Sequence, residues 1–231
     1  KPTTAGELGS PPYKYAKYSN RMSPAGIPMF YGGISEATAI AETVQNWENK
    51  PALLTTSCWR PATTLRLLDL RQPQGITSFY DTEHERHREG QLFLRGFAKD
   101  LSQPVGKDGF EHVDYAPTQV LTEYFRRVFE LEEVDGQEVE EDCGFYSDWN
   151  VGIHGIIYKS SILEGGDCVV IFANPDQCGT VGEEVNDPKA KPLIQLMPER
   201  TITHSLKSED MARDYLKRLG LVEENAPDTL F

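Results

Sequence analysis

The sequence predicts an α+β fold, in which a mixed and largely antiparallel sheet is flanked by helices. Segments with the periodicity of helices and of strands are interspersed along the chain without strict alternation of the two. The two clearest strands, residues 155–161 and 168–173, are apolar and rich in β-branched residues, and they flank the turn Glu164-Gly165-Gly166-Asp167. This pattern is typical of a hairpin, and a hairpin makes neighbouring strands antiparallel.

The first predicted helix begins after Ser35, which is placed to cap it, and ends near residue 49, before Pro51. Its apolar positions recur at helical spacing and are Ala37, Ile40, Ala41 and Val44. Apolar content then predicts two short strands, over residues 52–56 and 65–70.

Three further helical regions are predicted downstream. The charged stretch 79–102 predicts one or two surface helices broken near Gly90, with apolar contacts from Leu92, Phe93 and Phe97. Pro117 suits the first turn of a helix whose apolar stripe is Val120, Leu121, Tyr124, Phe125 and Val128. Between residues 130 and 142, eight of thirteen residues are acidic, which predicts an exposed hairpin or loop. A last helix is predicted to begin at Ser208.

Length and charge set the broad class. With 231 residues, of which 39% are hydrophobic, the chain can bury one core. We expect residues 1–18, which have no periodic pattern, to be a linker or N-terminal arm, and residues 19–231 to be the domain. A net charge of -13 repels nucleic acid and anionic lipid, so neither is an expected partner.

The cysteines and the chain start suggest a compartment and a context. Four cysteines lie far apart without CxxC spacing, which predicts reduced thiols in a cytoplasmic protein and no metal site: Cys58, Cys143, Cys168 and Cys178. No apolar run is long enough to span a membrane. The sequence begins at Lys1 and not at Met, so we expect a domain of a longer protein.

Three segments carry a resemblance to a known family. The stretch from Arg21 to Glu42, Arg-Met-Ser-Pro-Ala-Gly-Ile-Pro-Met-Phe-Tyr-Gly-Gly-Ile-Ser-Glu-Ala-Thr-Ala-Ile-Ala-Glu, resembles the opening motif of the RES domain family. Residues 155–161 resemble its serine-containing signature, and residues 112–119 resemble a less diagnostic segment. The resemblance spans residues 20–173 and implies a fold similar to that of ADP-ribosyltransferases.

The resemblance also implies roles for five side chains around NAD+. Arg21 would bind phosphate, Tyr31 would line the nicotinamide side, and Glu42 and Ser160 would hold the ribose. Arg21, Glu42 and Ser160 are thereby the candidate catalytic residues, and His112 is a further candidate for the pocket. Whether Ser160 or Ser161 is the functional serine stays open at this point.

Without the resemblance, each of these residues has an ordinary interpretation. Arg21 would pair with a surface carboxylate, and Tyr31 would pack in the core. Glu42 points about 150° away from the centre of the apolar helix face, as a solvated residue does. Ser160 would simply end a strand, and His112 would form a local hydrogen bond before a helix. Two other motifs carry nothing: His84-Glu85-Arg86-His87 lacks metalloprotease spacing, and neither a Rossmann fingerprint nor a P-loop is present.

The function implied by the resemblance is that of a toxin-like enzyme that consumes NAD+ as substrate and breaks its nicotinamide N-glycosidic bond. Phosphate, water or a protein side chain would accept the ADP-ribose, so the activity would be that of an NAD+ phosphorylase, a glycohydrolase or a mono-ADP-ribosyltransferase. A neutralising antitoxin is the protein partner that the family implies. The alternative is a catalytically inactive module of the same fold that binds a nucleotide or a protein.

Overall fold

The computed structural model describes most of the chain, namely residues 1–44, 53–72, 75–76, 78, 80–81, 85–103, 111–129, 152–183, 191–205 and 217–220. Seven strands occur in this part: β1 (Phe30–Gly33), β2 (Leu53–Pro61), β3 (Leu67–Asp69), β4 (Gly155–Lys159), β5 (Asp167–Ile171), β6 (Cys178–Thr180) and β7 (Ile194–Ser205). Five α-helices accompany them: α1 (Ala5–Leu8), α2 (Glu36–Val44), α3 (Glu85–Ser102), α4 (Glu111–Asp114) and α5 (Ala116–Arg127). The predicted α+β class, with a mixed sheet and flanking helices, is confirmed.

The first sheet has four strands in the order β1-β5-β4-β3. The predicted hairpin is present as β4 and β5, which pair antiparallel, and β1 adds antiparallel to β5. β3 pairs parallel with β4, which makes the sheet mixed. Gly165, in the hairpin turn, has a φ of 75°, a left-handed conformation that glycine adopts without steric cost.

The second sheet has three strands in the order β2-β7-β6 and was not predicted as such. β2 continues to Pro61, beyond the strand expected over residues 52–56. Its partner β7 is twelve residues long and antiparallel to it, whereas β6 pairs parallel with β7. Because the sequence of β7 is largely polar and contains Pro198, it lacks the apolar pattern from which a strand is predicted.

The two faces of the first sheet bury different cores. On one face, Ile156 and Val170 pack with Phe97 and Leu101 of α3 and Phe125 of α5. On the other face, residues of the first sheet pack against residues of the second, among them Phe30, Ile171, Trp59 and Ile194. The rings of Phe30 and Trp59 have centroids 5.0 Å apart. The first sheet is therefore the middle layer, between helices and the second sheet.

Helix α3 corrects one prediction. It runs unbroken through Gly90, where a break was expected. Its Phe97 and Leu101 are buried, but Leu92 and Phe93, expected as apolar contacts, are 42% and 47% exposed. A single glycine weakens a helix by only about 1 kcal/mol, and burial of the face with Phe97 offsets this cost.

Helix α5 corrects another prediction, because its buried side is mainly polar. Three members of the expected apolar stripe are exposed, namely Val120, Tyr124 and Val128. Thr118, Gln119 and Thr122 are buried instead, beside Phe125. The reason lies in hydrogen bonds, since Gln119 Nε2 donates to the carbonyl of Asn20 over 2.7 Å. Such partners let polar side chains occupy buried positions.

The N-terminal segment, expected to be a linker or arm, packs against the domain in its first ten residues. Ala5 and Ser10 are buried, and Ser10 Oγ donates to the Ala173 carbonyl over 2.7 Å. The position of the boundary at residue 18 stays a prediction. The acidic segment 130–142 and the start of the helix at Ser208 lie outside the described residues. Within the described part, no helix combines the length and hydrophobicity needed to cross a membrane.

Candidate functional site

Helix α2 is seated on the helix-covered face of the first sheet, where it brings Glu42 over the strands. Ser35 caps the helix as predicted, because its Oγ accepts the Thr38 N–H over 3.2 Å. Close approach to β1 depends on Gly33, where an added Cβ would lie 2.4 Å from the backbone N of Ala39. The space at Gly33 is thus filled by α2.

Glu42 and Ser160 meet directly. Ser160 Oγ donates to Glu42 Oε1 over 2.6 Å, across 118 residues of sequence. The same Oγ accepts the N–H groups of Ile162 and Leu163 over 3.1 and 2.9 Å, which directs its own proton toward Glu42. Both side chains are half-buried. Ser160, rather than Ser161, is therefore the serine that holds the carboxylate.

Cys168 is a second group on the same carboxylate oxygen. Its Sγ lies 3.4 Å from Glu42 Oε1, and the residue is buried. The hydrogen bonds that Glu42 accepts from described residues both end on Oε1. Oε2 accepts no hydrogen bond from the described residues. Cys168 was predicted only to be a reduced thiol, and the three described cysteines, Cys58, Cys168 and Cys178, are free.

The environment of Cys168 predicts slow thiol chemistry. Burial, together with the neighbouring Glu42 carboxylate, raises the pKa of the Cys168 thiol from about 9 to about 12. The thiolate is the reactive form, so alkylation by iodoacetamide at pH 8 should be at least about a hundredfold slower than in the unfolded chain. Peptide mass analysis of the labelled protein measures this. Equal labelling rates for Cys168 and the half-buried Cys58 would contradict the burial described.

The raised pKa of Cys168 also makes the stability of the folded state decrease at alkaline pH. The folded chain binds the Cys168 proton more tightly than the unfolded chain does, so this stabilisation is complete below pH 9. It is lost as the pH rises from 9 toward 12. Urea midpoints should fall over that interval, and they should fall less in Cys168→Ala. An identical pH dependence in both proteins would assign the alkaline effect to other groups.

Two tyrosines, Tyr31 and Tyr158, lie on the face of the first sheet that Glu42 covers. The strand register places Tyr158 opposite Cys168, and Tyr31 two positions from Gly33 on the same face. The Tyr31 hydroxyl donates to Ser23 Oγ over 2.9 Å, and burial raises its pKa to about 12. The residue as a whole is nevertheless 36% exposed.

Arg21 lies near both tyrosines, and its charge acts on the hydroxyls of Tyr31 and Tyr158. Its Nη1 donates to the carbonyls of Asp100, Leu101 and Gln103 at the C-terminal end of α3. A cation at a helix C-terminus also complements the helix dipole. All three hydrogen bonds come from Nη1. Nη2 and Nε, which form the other edge of the guanidinium group, take no part in them.

The loop that carries Arg21 is fixed by α5. Thr118 donates from Oγ1 to the Arg21 carbonyl, and Gln119 binds the Asn20 carbonyl. The guanidinium carbon of Arg21 lies 5.9 Å from the centre of the Tyr115 ring, within the range of a cation–π contact. Thr118, Gln119 and Tyr115 all belong to the segment 112–119, in which only His112 was predicted to have a role.

The histidines have other positions. His112 is exposed on α4, and its role as a pocket residue stays a prediction. His154 Nδ1 accepts the Arg66 N–H over 2.9 Å, a contact that joins β4 to the chain before β3. Burial, helped by the Arg66 charge, lowers the pKa of His154. Among the described residues, no group of three or more His, Cys, Asp and Glu side chains is arranged to hold a metal ion.

A polar hollow of about 230 Å³ lies at the opposite face of the same strands. Its lining is Asp69, Arg71, Gln72, Lys159 and Asp167. Arg71 pairs with Asp69 over 2.6 Å and with Asp167 over 3.3 Å, and Lys159 pairs with Asp167 over 3.0 Å. Each cation already has a carboxylate, and this network connects β3, β4 and β5.

The family of this chain follows from a comparison with protein-family models. A family model, the RES domain, matches residues 4–189, well over half of the chain. The chain belongs to the RES domain family. RES domains are toxin-associated and related to NAD, which agrees with the resemblance carried by residues 21–42. No curated protein and no solved structure matches the chain significantly. The RES match includes α1, so the N-terminal arm is partly within the matched region.

Proposed function

We propose that this RES domain is an NAD+-consuming, toxin-like enzyme that cleaves the N-glycosidic bond between nicotinamide and ribose. The observation that carries the proposal is the 2.6 Å hydrogen bond between Ser160 and Glu42. Two residues for which the family resemblance implied a shared role on ribose are thereby in contact. Arg21 and Tyr31, two further residues proposed to bind the ligand, are both near enough to Tyr158 to act on its hydroxyl electrostatically.

The chemistry requires a negative charge close to the anomeric carbon. As the C–N bond breaks, its electron pair leaves with nicotinamide, which becomes neutral, and positive charge develops on the ribose. Glu42 stabilises that charge with Oε2, while Ser160 and Cys168 hold Oε1 in place. Preorganised electrostatic stabilisation of this kind contributes on the order of 3 kcal/mol or more to lowering a barrier.

Arg21 is proposed to bind the pyrophosphate. The chain carries a net charge of -13, so a dinucleotide is attracted only where positive groups are concentrated. Arg21 is held by the end of α3 through Nη1, and its other nitrogens form a planar edge suited to phosphate oxygens. Tyr31, which is 36% exposed, would then contact the nicotinamide side by stacking of its ring.

The acceptor and the partners belong to the same proposal. Phosphate, water or a protein side chain attacks the ribosyl cation, giving ADP-ribose 1-phosphate, ADP-ribose or an ADP-ribosylated protein. Depletion of NAD+ would arrest growth, and a cognate antitoxin that covers Glu42 and Tyr31 would prevent it. A catalytically inactive binding module is the alternative outcome of the test below.

The proposal is tested by incubating the purified chain with NAD+, with and without inorganic phosphate, and measuring free nicotinamide. We expect release in at least one condition, and mass analysis of the ribosyl product identifies the acceptor. A rate that rises with phosphate and yields a phosphorylated product indicates phosphorolysis. Absence of nicotinamide release with phosphate, water and a protein mixture as acceptors would leave the binding module as the better description.

A further inference from the structure

Tyr158 lies at the centre of the proposed site, although neither motif resemblance nor sequence pattern gave it a role. In the first sheet it pairs with Cys168, and Cys168 pairs with Gly33 on the next strand. Directly opposite residues on antiparallel strands have Cβ atoms roughly 5 Å apart. Tyr158 is therefore one strand away from the thiol that contacts Glu42, and two residues before Ser160.

The position of Glu42 relative to Tyr158 follows from these neighbours. Glu42 Oε1 lies 2.6 Å from Ser160 Oγ and 3.4 Å from Cys168 Sγ. Both of these residues adjoin Tyr158 on the same face of the sheet, one along β4 and one across to β5. The carboxylate is consequently held over the same patch of sheet that Tyr158 occupies.

The hydroxyls of Tyr31 and Tyr158 differ in their hydrogen-bond partners. Tyr31 donates to Ser23 Oγ over 2.9 Å. In the part of the chain that the structure describes, the Tyr158 hydroxyl makes no hydrogen bond, although its ring packs against the core. Burial, reinforced by Cys168, Tyr31 and Glu42, raises the pKa of Tyr158 well above its ordinary value, so the hydroxyl keeps its proton and acts as a donor.

We propose that the Tyr158 hydroxyl contacts the substrate, donating a hydrogen bond to the nicotinamide-bearing ribose of NAD+ beside Glu42, an inference that rests on the function proposed above. A ribose offers hydroxyl oxygens that accept such a bond. A half-buried phenol with no described partner gains most from a ligand that supplies one, because an unmatched polar group is costly once a ligand excludes water.

Tyr158→Phe tests this role, because it removes one oxygen and keeps the ring that packs against the core. We expect kcat/KM for nicotinamide release to fall about tenfold or more, with an unchanged urea midpoint. Tyr124→Phe is the matched control, since Tyr124 is 45% exposed on α5 and its ring contacts Phe125 and Phe129. It should keep the wild-type kcat/KM.

Binding of ADP-ribose, measured by calorimetry, separates this inference from the proposed function. If wild type releases nicotinamide and Tyr158→Phe matches it within twofold, the role of Tyr158 is wrong and the function stands. If wild type releases none but binds ADP-ribose about tenfold more tightly than Tyr158→Phe does, the contact stands and the enzymatic function falls. If wild type neither releases nicotinamide nor binds ADP-ribose, both are overturned.

Discussion

Replacing Glu42 by Gln should lower kcat for nicotinamide release about a thousandfold. The amide keeps the size of the side chain, and its oxygen still accepts the Ser160 hydroxyl proton across the 2.6 Å contact. What is lost is the negative charge that stabilises the developing ribosyl cation. Removing one such preorganised group typically costs a factor of a hundred to a thousand in kcat. The measurement is steady-state release of nicotinamide, with circular dichroism to verify folding.

Glu36→Gln is the control for this substitution. It makes the same chemical change at the first residue of the same helix, where the side chain is exposed and accepts the Thr56 hydroxyl proton over 2.8 Å. Glu36 does not contact Ser160 or Cys168, so we expect turnover within twofold of wild type. Retention of NAD+ cleavage in Glu42→Gln, within threefold of wild type, would remove Glu42 from the mechanism.

The parts of the fold that were predicted are those specified by local sequence. The Ser35 cap and the helix after it depend on neighbouring residues, and the β4–β5 hairpin depends on a short turn between apolar strands. β7 depends instead on distant pairing with β2, and its sequence is polar. In its register, residues 198–201 bulge opposite Ser57, so Pro198 lies where the ladder is interrupted.

The residues of the site also differ in how far the local sequence predicts them. Arg21, Tyr31, Glu42 and Ser160 were found through motif resemblance, but the helix pattern alone described Glu42 as solvated. That pattern missed Thr38, a buried residue one turn before Glu42, because a polar residue does not mark a buried face. Cys168 and Tyr158 reach Glu42 only through the register of β4 and β5, which no linear spacing encodes.

Gly33→Ala should lose both stability and activity, because Gly33 determines how close α2 lies to the sheet. An added Cβ would be 2.4 Å from Ala39 N, 2.9 Å from Ala39 Cα and 2.9 Å from the Ser35 carbonyl oxygen. These are backbone atoms, which cannot rotate away as a side chain can. Overpacking of this kind costs about 2 to 3 kcal/mol in the free energy of unfolding, which urea denaturation measures.

The loss of activity follows from where α2 carries Glu42. To accept the new methyl group the helix must withdraw by about 1 Å, and a displacement of that size can cost a hundredfold in rate. We therefore expect kcat to fall about a hundredfold under conditions in which Gly33→Ala is folded. In Gly96→Ala, inside α3, the added Cβ has no atom within 4 Å apart from its chain neighbours and the backbone of its own helix. This variant should instead gain about 0.5 to 1 kcal/mol and keep full activity. If Gly33→Ala retains both stability and turnover, the close seating of α2 on β1 does not position the catalytic carboxylate.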